Sequence, residues 1–178
     1  MNAFKGSLSS SRACSLAAQG FKRGFPECDL VKKPLADGGD GTLEVLLDAL
    51  GGRKKSISVT GPYGEPVNAY IGFVGADIAI IESALCSGLA IASSKELSVF
   101  SATSRGIGEA MALAARAGAK RLIVGIGGTA TNDGGIGMIQ GAGGKVLDGK
   151  GRPVAPGIHG LMEAQKVDLA EIRRVFRG

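Results

Sequence analysis

The chain has 178 residues, 30 of them glycine, no tryptophan and a formal net charge of +5. That length holds one sizeable domain or parts of two, and so many glycines suit an α/β protein with tight loops between strands and helices. Arg173, Arg174 and Arg177 supply much of the charge, and no basic run is interleaved with aromatics. Nucleic-acid binding is therefore not expected, whereas a small anionic substrate suits the modest positive balance.

No apolar run reaches membrane-spanning length, and the N-terminus lacks the apolar stretch of a signal peptide. The three cysteines (Cys14, Cys28, Cys86) are scattered and not spaced as metal ligands, and the single His159 lies between glycines in a loop. A zinc site is not expected, and the expected compartment is the cytoplasm.

Residues 1–11 read as a loop entering a helix, with Ser7 or Ser9 as the N-cap. Leu16, Ala17, Gly20 and Phe21 share a helix face that ends near Gly24 and Pro26. An α/β unit normally begins with a strand, so the first strand is expected to lie outside this chain. Residues 29–34 read as a strand that feeds the loop Asp37-Gly38-Gly39-Asp40-Gly41. Leu43, Leu46, Leu47 and Leu50 then follow at helical spacing, and Gly51-Gly52 closes the helix.

Ile57 to Thr60, Val67 to Val74 and Asp77 to Ile81 alternate or run apolar around turn signals, which predicts a mixed, hairpin-rich patch over 57–81. This change of style sets the expected boundary between a first, incomplete α/β domain at 1–56 and part of a second at 57–178. Glu82 ends the run as a buried acid or a surface residue. Thr103 or Ser104 caps a helix over 107–117, Lys145 to Asp148 reads as a strand, and 167–175 reads as a last amphipathic helix.

The stretch from Arg121 to Gly144 carries the strongest chemical signal. Leu122-Ile123-Val124 is a short buried-strand run that stops at Gly125, Gly127 and Gly128. Thr129, Thr131, Asn132 and Asp133 crowd the turn, and Ile136, Met138 and Ile139 open a helix. Strand, glycine loop and helix N-terminus together make an anion site, because free amides and the helix dipole point at one spot. The pattern Asp37-Gly38-Gly39-x-Gly41 recurs as Asp133-Gly134-Gly135-x-Gly137, so both loops are expected to face one site, with a terminal phosphate between their acids. Parallel βα units with glycine-rich loops are the expected fold.

Two stretches imitate dinucleotide motifs. Ser104 to Ala110 resembles the phosphate loop of short-chain dehydrogenases, but its first glycine would fall at Ala102, and neither Tyr63 nor Tyr70 has a lysine four residues on. Gly125-x-Gly127-x-x-Ala130, with Asp148 about twenty residues on, fits the Rossmann fingerprint and keeps an oxidoreductase as the alternative. A Walker loop is absent.

Several pieces in order resemble the glycerate kinases of the 2-phosphoglycerate-forming bacterial type: Phe4 to Ser9, Ala36 to Thr42, Val59 to Pro62, Ile81-Glu82, Ser87 to Leu89, Thr103 to Gly106 and Ile126 to Gly135. Members of that family are about twice as long and begin with a strand before the Lys5 loop. They place Asp-Ser where this chain has Asn2-Ala3.

The resemblance implies a two-domain α/β kinase that phosphorylates glycerate with ATP and Mg²⁺ in a cleft. It implies phosphate binding by Gly127, Gly128, Thr129, Asn132 and Gly134, and chemistry by Asp133 and Lys5. Arg105, Asp37 and Gly38 would bind substrate, and Asp133, Asp37 and Asp40 would hold the metal. The plainer readings are a solvated Lys5, an Asx-turn or helix cap at Asp37, a cap at Asp133 and a surface charge at Arg105. The competing class is a non-catalytic remnant that binds nucleotide.

Overall fold

The computed structural model describes residues 1–4, 6–92 and 98–176, so Lys5 lies outside the described residues. Helix α1 (Ser10–Gly24) starts where the Ser9 hydroxyl accepts the Arg12 amide at 3.3 Å, and Lys22 and Arg23 close its last turn, where cations complement the helix dipole. Residues 29–34 correct the sequence reading: they form no strand. Val31 is 80% exposed and no described strand runs beside the segment, so its β-branched character has no ladder to join.

Helix α2 (Thr42–Leu50) begins after Gly41 (φ 86°) and ends at Gly51 (φ 72°), both left-handed positions where a side chain would be strained. Three strands then form an antiparallel meander: β1 (Arg53–Thr60), β2 (Pro66–Val74) and β3 (Ile78–Glu82). Two short helices follow, α3 (Ala84–Ser87) and α4 (Leu89–Ala92). Helix α5 (Arg105–Arg116) then leads to β4 (Arg121–Gly125), which pairs parallel to β3.

The fold is therefore mixed α/β around a four-stranded sheet ordered β1-β2-β3-β4. It corrects the expectation of parallel βα units: two of the sheet's three pairings are antiparallel, because the short turns at 61–65 and 75–77 can only reverse the chain. The hairpin-rich patch lies where alternation placed it.

Alternation along the strands splits the sheet into two buried faces. Ala69, Ile71, Ala79 and Ile81 point to α5 and pack with Ile107, Ala110 and Ala114. Gly72, Ile80 and Glu82 point the other way, toward α2; there a side chain at Gly72 would collide with Leu43 and Leu47.

Beyond β4 come α6 (Ile136–Gly141), β5 (Lys145–Leu147), α7 (Gly157–Glu163), β6 (Lys166–Asp168) and α8 (Ala170–Val175). Strands β5 and β6 pair antiparallel as a separate sheet over Ile136, Val146 and Val154. Among the described residues, no helix is long and apolar enough to cross a membrane.

Candidate active site

The site begins with the parallel register of β3 and β4, in which Glu82 lies opposite Gly125. Both strands end there, and α/β proteins place ligands beyond the carboxyl ends of parallel strands. Past Gly125 the chain stays tied to the segment after β3. Ser83 donates its amide to the Gly125 carbonyl at 2.9 Å, Leu89 its amide to the Gly128 carbonyl at 3.1 Å, and Ala130 its amide to the Ser87 carbonyl at 2.8 Å.

The loop 37–41 lies directly on this turn. The Gly127 amide donates to the Gly38 carbonyl at 2.8 Å. The approach requires glycine at both 125 and 127, since a Cβ on Gly125 would stand 2.8 Å from the Gly38 carbonyl oxygen, and one on Gly127 2.7 Å from the Gly39 backbone. Within the loop, Asp37 Oδ1 accepts the Gly39 amide at 3.1 Å, and Thr42 Oγ1 accepts the Gly38 amide at 3.1 Å. The first of these is the Asx-turn that the sequence offered as the plainer reading of Asp37.

Between the two loops opens a cleft of ≈ 210 Å³ lined by Asn2, Ala3, Asp37, Gly39, Asp40, Gly127 and Gly128. Asn2, which the sequence noted only as a departure from the family pattern, donates its side-chain amide to Asp37 Oδ2 at 2.9 Å. Asp40 lies against Gly128, with Oδ1 at 3.3 Å from where a Gly128 side chain would start. Among the described residues no group of the chain donates to the Asp40 carboxylate, and no acceptor takes the amides of Gly128 and Thr129. The Gly127 amide, assigned to phosphate from the sequence, is committed to Gly38.

Glu82 supports this arrangement from below. It is 2% exposed, and its carboxylate accepts the Gly41 amide at 3.0 Å and the Leu43 amide at 2.8 Å. Burial pushes its carboxyl above the ordinary glutamate value; the two amides pull the other way, and the charges of Asp40 and Glu44 add to the rise. The signal in the sequence was an acid closing the apolar run 78–81.

No residue of the turn 131–137 lines this cleft, although the sequence placed it and the loop 37–41 at one site. Asp133 is 2% exposed and does not line the cleft. Its carboxylate accepts the amides of Ser104 (2.8 Å), Gly135 (3.0 Å) and Gly137 (3.2 Å) and the Ser104 hydroxyl (2.9 Å). Both oxygens are thereby occupied at the first turns of α5 and α6, the capping role offered as its plainer reading. Gly134 lies against Leu161 of α7, and Asn132 is exposed outside the cleft. Arg105 is turned to Glu109, Nε to Oε1 at 3.0 Å, and Glu109 in turn accepts the Thr60 amide at 2.7 Å.

The Rossmann alternative is not supported. The turn after Gly125 opens no helix until Ile136, and Asp148 follows β5 in the separate sheet rather than a strand beside β4. A fingerprint loop needs its glycines at a helix N-terminus, and here they hold Gly38 instead.

The sequence model of the glycerate kinase family matches residues 1–178. The chain belongs to the glycerate kinase family. It is 46% identical over 170 residues to glycerate kinase of Bacillus subtilis (strain 168), covering 95% of this chain and 44% of that relative. It is 40% identical over 170 residues to glycerate 2-kinase of Escherichia coli (strain K12), covering 95% of this chain and 45% of that relative. A crystal structure of a glycerate-kinase-type protein from Salmonella typhimurium LT2 matches with a TM-score of 0.81 at 40% identity, over 97% of this chain and 47% of the other. This glycerate kinase family chain thus spans a little under half the length of these relatives.

Proposed function

We propose that the cleft between the loops 37–41 and 125–128 is where glycerate meets the terminal phosphate of ATP, and that the chain contributes this site to a glycerate kinase yielding 2-phosphoglycerate. The observation that carries the reading is the meeting of two exposed carboxylates, Asp37 and Asp40, with the Gly127–Gly128 turn around one small cleft. Its ≈ 210 Å³ suits a three-carbon acid or a phosphate group and is small for a whole nucleotide. The remainder of ATP is then left to parts of the family's length beyond this chain. Asn2, Asp37 and Asp40 come from 1–56 and Gly127 and Gly128 from 57–178, which supports a cleft between the two units expected from the sequence.

The donor set fits Mg²⁺, which favours hard oxygen ligands and is commonly held by one or two carboxylates together with substrate phosphates. Asp40, whose carboxylate takes no donor from the described residues, is assigned to the ion, which neutralises phosphate charge when bound. Asp37, oriented by Asn2 and by its own turn, is assigned to accept the proton of the attacking glycerate hydroxyl. As that oxygen bonds to the γ-phosphorus, the bond to the bridging oxygen breaks and ADP leaves. The amides of Gly128 and Thr129 are assigned to the transferring phosphoryl oxygens. Lys5 keeps the charge-offsetting role that the resemblance implies.

The test is an ADP-release assay with glycerate, ATP and Mg²⁺, with the product identified by ³¹P NMR and the Asp40 and Gly128 amide resonances followed during titration. Phosphoglycerate formation or ligand-dependent shifts at both amides support the reading. Absence of both sinks it.

A further inference from the structure

We propose that Glu82 is a positioning residue for this site, holding Asp40 in the cleft through the Gly41 and Leu43 amides at the start of α2. The proposal rests on the kinase reading above and adds a residue to it.

Helix α2 has no side-chain cap of its own, and its N-cap Gly41 sits at φ 86°. A serine, threonine or aspartate there would be strained by its Cβ, so the usual local cap is closed to this turn. The acceptor arrives instead from the end of β3. A carboxylate is needed because it accepts at both oxygens; a side-chain amide has only one acceptor and would set its NH₂ against the other backbone N–H. Strand alternation puts position 82 on the α2 face with Ile80, so the anchor is built into the sheet.

The two acids of the cleft are held differently. Asp37 is fixed by Asn2 and by the Gly39 amide, and its loop is pinned on Gly127 through Gly38. None of these contacts involves Glu82; the loop's further tie, the Gly38 amide on Thr42 Oγ1, runs to the residue between the two that Glu82 holds. Asp40 precedes Gly41 directly, and Gly41 is held by Glu82. Loss of Glu82 therefore releases Asp40, while Asp37 keeps its bonds to Asn2 and to the Gly39 amide.

The experiment compares wild type, Glu82→Gln, Asp40→Asn and the double variant. In Glu82→Gln the amides of Gly41 and Leu43 are expected to lose hydrogen-exchange protection while the β3–β4 ladder keeps its own. The kcat for glycerate phosphorylation is expected to fall about 10- to 100-fold, the scale of a misplaced catalytic group, with little change in KM. In the Asp40→Asn background the same change is expected to add no further loss, because both act on one group.

Losses that multiply in the double variant, or lost protection with wild-type turnover, overturn the positioning role and leave the kinase reading standing. Retained protection overturns the anchor itself. A wild type without turnover or ligand-dependent shifts sinks the kinase reading and the role of Glu82 within it. Should Glu82→Gln not fold, Glu82→Asp, which keeps the charge and shortens the reach by one methylene, carries the same comparison.

Discussion

The hydroxyl of Ser104 donates to the Asp133 carboxylate at 2.9 Å and accepts the Met138 amide at 2.9 Å. One hydroxyl and one buried acid thereby join the first turns of α5 and α6. Replacing Asp133 by alanine strands the amides of Ser104, Gly135 and Gly137, and each orphaned buried donor costs about 1–3 kcal/mol. The expected result is a large drop in the denaturation midpoint, with any loss of turnover following loss of fold. A variant with wild-type stability and no turnover would return Asp133 to the chemistry.

Gly128→Ala tests the cleft wall. Gly128 is left-handed at φ 70°, where a side chain costs about 1–2 kcal/mol. Its new Cβ would also stand 3.3 Å from Asp40 Oδ1 and 3.4 Å from the Ala84 Cβ. We expect a modest loss of stability with a larger loss of Mg²⁺-dependent turnover, measured by melting and kinetics on the same preparation. Equal activity at lower stability would remove Gly128 from the site.

Cysteine reactivity should follow burial. Burial, aided by the charges of Glu109 and Glu82, pushes the Cys86 thiol up to about 12, and the side chain is fully enclosed. Iodoacetamide at mildly alkaline pH is expected to label the half-buried Cys28 in the native chain and to spare Cys86 until the protein unfolds. Peptide mass spectrometry reads the order, and equal labelling of both would contradict the packing.

The Asp148 turn gives a signed pH prediction. The Arg152 amide foremost holds this carboxyl below its ordinary value of 3.8; desolvation, next in size, opposes it, and the Arg152 side chain and the Lys150 amide add to the lowering. A depressed acid stabilises the fold above its unfolded value, and that contribution is lost as pH falls through the folded value. Asp148→Asn should therefore be less stable than wild type at neutral pH, with the difference closing well below pH 3.8. Denaturant midpoints at the two pH values check it; a gap that is constant with pH would show that the charge contributes nothing.

The helices and the meander were readable because their causes are local. Leucine spacing marked α2, alternation marked β1 to β3, and the hydroxyl before Arg12 marked the start of α1. The failed strand at 29–34 shows the limit: composition describes a segment that suits a ladder, but a ladder also needs a neighbour. The two Asp-Gly-Gly loops show it again. Asp37 and Asp133 begin the same pattern, yet Asp37 is exposed beside Asn2, whereas Asp133 is enclosed by donors from a segment about thirty residues away. The loop 37–41 meets Gly125 and Gly127 rather than the turn that resembles it, because backbone-to-backbone approach selects for missing side chains, not for shared motifs.

The pairing of Glu82 with Gly125 fixes how this scaffold tolerates changes in length. A single residue inserted within β3 would rotate the carboxylate onto the α5 side, among Ile107 and Ala110, and turn an aliphatic side chain toward the first turn of α2. An insertion within β4 would put a side chain under Gly38, where none fits. Extra residues belong in exposed reversals such as 75–76 and 149–151; the two parallel strands must keep their count.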